Sequence, residues 1–428
     1  MQSAVIEQDR AELPAERIRR QWGAISVPFW IGVSRIVLGV VFAHLVVVLL
    51  PQARQHLTGG TLAGGSWLGA FDRWDSAYYT GLAQHAYPVD QASHAAFFPG
   101  YPLLIAIVHG VSLGTLSYFH AALVISWISL TAASVVLYRL ATRLFSERVA
   151  LIATVLFCWF PASLFFLSAY SEAFFALLIL IVITLLVQER FLAAALVAAF
   201  ASATSPESVA LTIALMVTAV MAGKGIARVV AYGAISGLGL LGFMLYLWDQ
   251  FGHPFEFISV QKDWMRSEHF PFVGLYRNIL ALRHYVTGPG SPRPGATSPT
   301  FTNIKWVWLL DDACLVVAAV LAVTLIVLYV QRRGAAEGSE SSAIPISLVV
   351  VTFIVVLLAT CTTISPYALP TYASSEGQER FVSIAVPLFV AGALVIRRRP
   401  SLVAFAVGGS VIVALVFQAM YNLGYWVT

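Results

Sequence analysis

Along this chain, continuous apolar runs alternate with short polar or basic joints. The runs do not alternate residue by residue, so they predict helices and argue against the two-residue pattern of a membrane barrel. The first run covers 26–50. Others follow at 119–140, 149–168, 171–187, 191–204, 208–221, 229–248, 304–330, 344–361, 381–396 and 402–423. A helix needs roughly 20 apolar residues to cross a hydrocarbon core of about 30 Å. The expectation is an all-α, polytopic membrane fold with about eleven or twelve transmembrane helices. It forms one membrane-embedded unit over 1–428, with no strong internal repeat. Segment 97–116 is the irregular member: it is apolar, but Pro99, Pro102, Gly110 and Gly114 interrupt it. It either crosses or re-enters, and a re-entrant backbone survives at membrane depth only when buried in protein or lining a cavity.

Composition narrows the class. Charged residues make up 11% of the 428, against about 25% in soluble domains. Hydrophobic residues make up 59%, and the mean hydropathy is +0.83. The net charge of +4 is modest and gives no reason to expect a nucleic-acid partner. Its distribution says more. Joints 139–148, 189–190, 224–228, 332–333 and 397–399 are basic, whereas 169–172, 205–208 and 364–377 are poor in positive charge. The two sets alternate, which puts the basic set in the cytoplasm. Segment 1–24, with Arg17, Arg19 and Arg20, is then cytoplasmic, and the loops 51–96 and 249–303 lie outside. The first run exceeds the core of a secretory signal and reads as a retained helix. Cys158, Cys314 and Cys361 have no metal-site or disulfide-framework spacing.

The outer joints hold most of the candidate chemistry. In the first, Asp72 and Asp75 flank Arg73 and Trp74, and Tyr78, Tyr79, Leu82, Ala83 and Ala86 then share one helical face. That spacing predicts an amphipathic helix at the membrane surface. Its purely structural reading makes Asp75 the N-cap and Trp74 an interfacial anchor. Further outer polar groups are Tyr170, Glu172, Glu207, the run 251–266 with Gln261 and Trp264, and finally Tyr367, Tyr372, Glu376, Glu379 and Arg380. Singly, each has a structural reading: Glu172 as a first-turn acid favoured by the helix dipole, Arg380 as a snorkelling cation. Arg35 lies inside the first run, where a charge needs a partner or a role. Together these groups converge on one membrane face.

No nucleotide-binding P-loop, no G-x-S-x-G elbow and no zincin-spaced His pair is present. What the set does suit is transfer of a sugar from a lipid phosphate. That reaction needs a carboxylate to take the acceptor's proton, a cation near the leaving phosphate and an apolar groove for the lipid. The phosphate leaves readily, so the second carboxylate required in ordinary glycoside cleavage is unnecessary. Two alternatives stand beside this. A lipid or sugar transporter or flippase would have a mid-membrane site and repeated halves. A non-catalytic membrane subunit would lack a cleft joining Asp75 to the other outer loops.

The chain also resembles a known family. Arg73-Trp74-Asp75, Ala83-Gln84-His85-Ala86-Tyr87 and Ala96-Phe97-Phe98-Pro99-Gly100-Tyr101-Pro102 carry most of the likeness. Pro161-Ala162-Ser163, Tyr170-Ser171-Glu172, Phe174, Phe251-Gly252-His253-Pro254, Phe257, Gln261, Trp264, Arg380-Phe381, Pro387 and Gly424-Tyr425-Trp426 extend it in order. They resemble the PIG-V group of mannosyltransferases within the GT-C superfamily. The resemblance implies a polyprenyl- or dolichyl-phosphate mannose donor, an inverting single displacement, no divalent metal, and an active site on the extracytoplasmic face. It makes Asp75 the base, with Asp72 as second choice. The implied substrate-binding residues are Arg73, Trp74, His85, Tyr101, Glu172, Gln261, Trp264 and Arg380. Implied partners are membrane lipids and a glycolipid or protein acceptor. The implied location is a bacterial plasma membrane, or the endoplasmic reticulum in a eukaryote. One departure stands out: after Ala203-Thr204 the family tends to have an arginine, and this chain has Ser205-Pro206-Glu207-Ser208. The contact that such an arginine would make is lost or supplied elsewhere, with Arg380 the substitute considered.

Overall fold

The computed structural model describes residues 14–50, 67–264, 266–268, 270–276, 300–335, 344–364 and 378–424. Residues 1–13 of the N-terminal segment, 51–66 of the first loop and 277–299 of the second large loop lie outside the described residues, as do Tyr367, Tyr372, Glu376, Tyr425 and Trp426. The described chain is helical. In order it forms α1 (Pro14–Leu49), α2 (Asp75–His85), α3 (Gly100–Val111), α4 (Tyr118–Leu144), α5 (Glu147–Cys158), α6 (Glu172–Val187), α7 (Phe191–Ser202) and α8 (Val209–Met221). It continues with α9 (Ile226–Ser236), α10 (Leu238–Phe251), α11 (Glu256–Ser259), α12 (Thr300–Ala335), α13 (Ile346–Cys361), α14 (Gln378–Ser383), α15 (Pro387–Ile396) and α16 (Pro400–Asn422).

By length and composition, four helical stretches among the described residues are apolar enough to cross a membrane alone: Ile25–Leu49, Tyr118–Leu144, Leu310–Arg333 and Pro400–Asn422. The bent pair α9–α10, turning 49° at Gly237, adds a fifth if it is one span. Six shorter apolar helices of 10–17 residues accompany them. Of the eleven or twelve expected spans, four or five are thus long and apolar enough to cross alone among the described residues. The runs are present, but proline and glycine divide them. Run 381–396 splits at Pro387, whose missing N–H cannot continue α14. Run 149–168 ends as helix at Cys158, before a 3-10 turn beginning at Pro161. Segment 97–116 holds the 12-residue α3, about 18 Å long, too short to cross alone. Leu113 and Gly114, both at positive φ, turn the chain into α4.

Helix α4 packs against α1, α5 and α6 at the centre of the bundle. Helix α6 is apolar on every side and largely buried, as a central helix should be. Its neighbour α7 offers Ala194, Ala195, Ala198 and Ala201, small residues that let backbones approach closely. Outward, the bundle displays apolar side chains such as Val37, Val41, Val320, Phe405 and Ile412, the reverse of a water-facing helix.

The buried charge on α1 has its partners. Arg35 is fully buried. Its Nε donates to Cys158 O at 3.0 Å and Ser163 Oγ at 3.2 Å, and Nη1 donates to Gln418 Oε1 at 3.0 Å. The guanidinium lies 4.7 Å over the Trp159 ring. This knot ties α1, the end of α5 and α16 together using neutral acceptors.

A single departure from pure helix matters for the site. Residues Arg266–Glu268 (β1) and Thr362–Ile364 (β2) form an antiparallel pair, with Arg266 opposite Ile364. This short ladder fastens the second large loop to the end of α13.

Candidate active site

The first loop and α2 start the site. Trp74 precedes α2 at φ 54°, on the positive side that a side chain rarely adopts. Such a residue persists only where its surroundings enforce it. Here two buried tyrosines do so: Tyr170 Oη and Tyr421 Oη each donate to Arg73 O at 3.2 Å. Tyr170 Oη in turn accepts the N–H of Asp75 at 3.2 Å. Asp75 is therefore the first helical residue, and the N-cap position falls to Trp74, whose side chain makes no capping bond. The expected N-cap role of Asp75 is thus corrected, and its carboxylate points elsewhere. The inner face of α2 is Ser76, Tyr79 and Leu82, packed on α3 and α4, with Tyr78 and Ala83 half-buried and Ala86 exposed.

The Asp75 carboxylate meets Arg380. Arg380 Nη1 donates to Asp75 Oδ2 at 2.5 Å, and its Nε donates to Glu172 Oε1. Glu172 opens α6, where the helix dipole favours an acid. The Arg380 guanidinium lies 4.8 Å from the Tyr170 ring centre and 5.4 Å from that of Phe165. Burial opposes its charge, but Glu172 and Asp75 outweigh that and hold its pKa well above the usual guanidinium value. Three segments far apart in sequence thus supply one acid–base–acid set.

That set opens onto a cavity of about 510 Å³. Asp75, Glu172, Arg380, Glu207 and Arg266 form its charged part, and Phe97, Phe98, Phe175, Val355 and Leu358 are among its apolar lining. Gln261 and Trp264 also line it. Gln261 Nε2 donates to Phe257 O at 2.8 Å, and Trp264 Nε1 donates to Ser93 O at 2.9 Å. Trp264 meets Tyr78 and Phe97 edge-on, with ring centres 5.0 and 5.3 Å apart.

Gly100 brings the F-F-P-G-Y-P stretch against the end of α7. Its N–H donates to Ala203 O at 2.6 Å, and a Cβ there would lie 2.4 Å from Thr204 Oγ1. Only glycine permits that approach, and it carries Phe97 and Phe98 to the cavity beside Thr204 and Glu207.

The sequence candidates divide into two groups. Asp75, Glu172, Gln261, Trp264 and Arg380 line the cavity. Asp72, Arg73, Trp74, His85 and Tyr101 do not. Burial raises the Asp72 carboxyl above the usual range, partly offset by the nearby Ser76 hydroxyl and the Arg73 charge. Arg73 Nη2 reaches Asn422 O at 3.4 Å. His85 is exposed at the end of α2. Tyr101 is fully buried, its hydroxyl donating to Ala122 O at 3.0 Å and sharing a bond of 2.8 Å with Ser126 Oγ. Asp72, the second-choice base, and the four expected substrate contacts Arg73, Trp74, His85 and Tyr101 thus lie outside the cavity lining.

Two further charges, absent from the candidate set, line the cavity. Glu207 sits on the 3-10 turn Pro206–Ser208 and accepts from Ser205 Oγ. Arg266 is brought in by the β1–β2 ladder. The only sequence signal for either was a charge in an outer polar stretch. Among the described residues, no three His, Cys, Asp or Glu side chains gather as metal ligands would.

Comparison with known proteins finds a likeness over a stretch that contains Asp75, Glu172 and Glu207 but not Gln261, Trp264, Arg266 or Arg380. Residues 61–224 match the family described as Mannosyltransferase (PIG-V). The chain is 37% identical over 121 residues to the mouse protein named GPI alpha-1,6-mannosyltransferase 2, covering 26% of this chain and 24% of that relative. It is 37% identical over 122 residues to the human protein of that name, again covering 26% and 24%. It is 31% identical over 118 residues to GPI mannosyltransferase 2 of Drosophila melanogaster, covering 26% of each. The matched stretch thus spans about a quarter of these relatives. Over residues 61–224, the chain is PIG-V-like.

Proposed function

We propose that this PIG-V-like membrane protein is a glycosyltransferase that moves a mannosyl residue from a polyprenyl- or dolichyl-phosphate donor to a glycolipid or other acceptor, with inversion. The observation that carries this reading is the Asp75–Arg380–Glu172 set at the charged part of a cavity whose remaining wall is apolar. A sugar phosphate suits the charged part and an isoprenoid tail the apolar wall. The names of the relatives add mannose as the sugar and a GPI-type glycolipid as one class of acceptor.

In this mechanism Asp75 is the base. Arg380 occupies Oδ2 and fixes the carboxylate's direction, and Oδ1 takes the acceptor's proton. The acceptor oxygen attacks the anomeric carbon from the face opposite the phosphate, so one displacement inverts the centre. Preorganised geometry of this kind is where most of the rate advantage arises. The active site faces the extracytoplasmic side, following the charge of the joints, and the host membrane is a bacterial plasma membrane, or the endoplasmic reticulum in a eukaryote. Segment 249–303 contributes Gln261, Trp264 and Arg266, so the cleft that a non-catalytic subunit would lack is available to substrate.

The test uses the full chain in lipid nanodiscs with radiolabelled polyprenyl-phosphate mannose and a lipid extract of the host membrane. Wild type transfers label to a lipid or protein, and Asp75→Asn does not. Equal transfer by both proteins removes Asp75 from the role of base. Movement of label across the bilayer without covalent transfer replaces the enzyme reading with a transporter.

A further inference from the structure

Two guanidinium groups line the cavity, and they are in different electrostatic states. Arg380 is committed. Its Nε and Nη1 donate to two carboxylates, and its planar group lies near two aromatic rings. One positive charge between two negative ones leaves that set net negative, which repels an incoming anion. Arg266 is less committed: Asp75 and Glu207 attract it, and Arg380 repels it, without a direct ion pair among the described residues. Its Nη1 donates to the neutral Gln261 Oε1 at 3.2 Å, and its guanidinium lies 5.4 Å over Phe381. Among the described residues no carboxylate oxygen lies within 4.0 Å of it. Glu207, the remaining acid of the lining, is engaged by Ser205. Arg266 is also held firmly, because its backbone pairs with Ile364 in the β1–β2 ladder.

The proposed reaction makes this difference matter. The bond from the anomeric carbon to the phosphate oxygen breaks, and its electron pair goes to that oxygen. The acceptor oxygen bonds to the same carbon, and its proton passes to Asp75. The phosphate thereby changes from a singly charged diester to a monoester that can carry two charges. A cation that is not already neutralised must stand near it, and arginine's fork of N–H groups suits phosphate oxygens.

We infer that Arg266 binds the phosphate of the lipid-linked donor and of the lipid phosphate product, while Arg380 is a positioning residue that orients Asp75. This rests on the reading of the site given above. On this inference Arg266, from β1, and not Arg380, takes the place of the arginine that the family resemblance leads one to expect after Thr204.

The test separates the inference from the reading beneath it. Full-length protein in nanodiscs binds a radiolabelled polyprenyl monophosphate, which is competed by the unlabelled monophosphate or by the polyprenol of equal chain length. Wild type prefers the monophosphate. Arg266→Gln loses that preference by roughly tenfold or more, a change of about 1.4 kcal/mol, and Arg266→Lys restores part of it. Arg380→Lys keeps the preference but loses turnover, because lysine cannot serve two carboxylates in the same plane. Folding of each variant is checked by its thermal transition. If wild type prefers the monophosphate and a folded Arg266→Gln prefers it equally, the assignment of Arg266 is overturned. If wild type does not distinguish the two lipids, the lipid-phosphate reading itself is overturned and Arg266 with it.

Discussion

Arg380 donates to the carboxylate of Asp75 at 2.5 Å across 305 residues of sequence. The same arginine holds Glu172, 208 residues away. This contact fixes the first loop to the last part of the helical bundle, and it directs one particular acid of that loop into the cavity.

The first prediction concerns the support behind Asp75. Tyr170→Phe keeps the ring under Arg380 but removes the hydroxyl that joins the Asp75 N–H to Arg73 O. Stability should fall by about 1 kcal/mol. Turnover should fall with little change in the donor's KM, because the lost bonds orient the base and do not touch the donor. Steady-state kinetics with purified protein tests this. A change confined to KM would assign Tyr170 to donor binding.

Glu172 and Arg380 are buried together, but Arg380 also holds Asp75, so the two removals are unequal. Arg380→Gln strands two carboxylates and should destabilise the protein by roughly 3 kcal/mol, whereas Glu172→Gln leaves Arg380 paired with Asp75 and should cost less. The double variant should lose clearly less than the sum of the two, because the stranded Glu172 charge is gone. Thermal or denaturant unfolding in detergent gives the cycle, and additive losses would remove the pair as a coupled unit.

Gly100 should be intolerant and Gly110 tolerant, although both lie in α3. A Cβ at Gly100 would stand 2.4 Å from Thr204 Oγ1 and 2.8 Å from Ala203 O, whereas at Gly110 nothing lies within 4 Å. Gly100→Ala should cost about 1–3 kcal/mol and reduce transfer, since the wall with Phe97 and Phe98 must move. Gly110→Ala should be neutral or slightly stabilising, as alanine is the better helix former by about 1 kcal/mol. Melting temperatures of the two variants decide it.

Asp72 provides a pH test. Burial raises its pKa in the folded state, so its protonated form is favoured there relative to the unfolded chain. A raised group contributes stability that is complete below its unfolded value, near 3.8, and is lost as pH rises through the folded value. Asp72→Asn should remove this component of the pH dependence while retaining transfer, because Asp72 does not line the cavity. Unfolding profiles on the acid side, paired with a transfer assay, check both parts. Loss of transfer in a folded Asp72→Asn protein would return Asp72 to the set of candidate bases.

Much was legible from local sequence because it is a local property. Continuous apolar runs commit the backbone to helices in lipid, since no water is there to satisfy exposed amides. The sequence showed proline and glycine interrupting segment 97–116, but not that Gly237 would bend α9–α10 by 49° or that Pro387 would leave α14 as a separate short helix. The segment from Phe71 to Pro102 stood out as a candidate by its density of acids and aromatics, and Asp75, Tyr79, Phe97 and Phe98 from it line the cavity.

What only the tertiary structure decided is which charges meet. Asp72 and Asp75 are three residues apart and chemically identical, yet one lies outside the cavity lining and the other faces Arg380. The direction of α2 separates them, and packing of Trp74 and its two tyrosine supports sets that direction. Arg266 read as an ordinary loop charge until the β1–β2 ladder carried it to the cavity. Hydrophobic periodicity is written residue by residue, whereas an ion pair across 305 residues exists only after the helices between have packed.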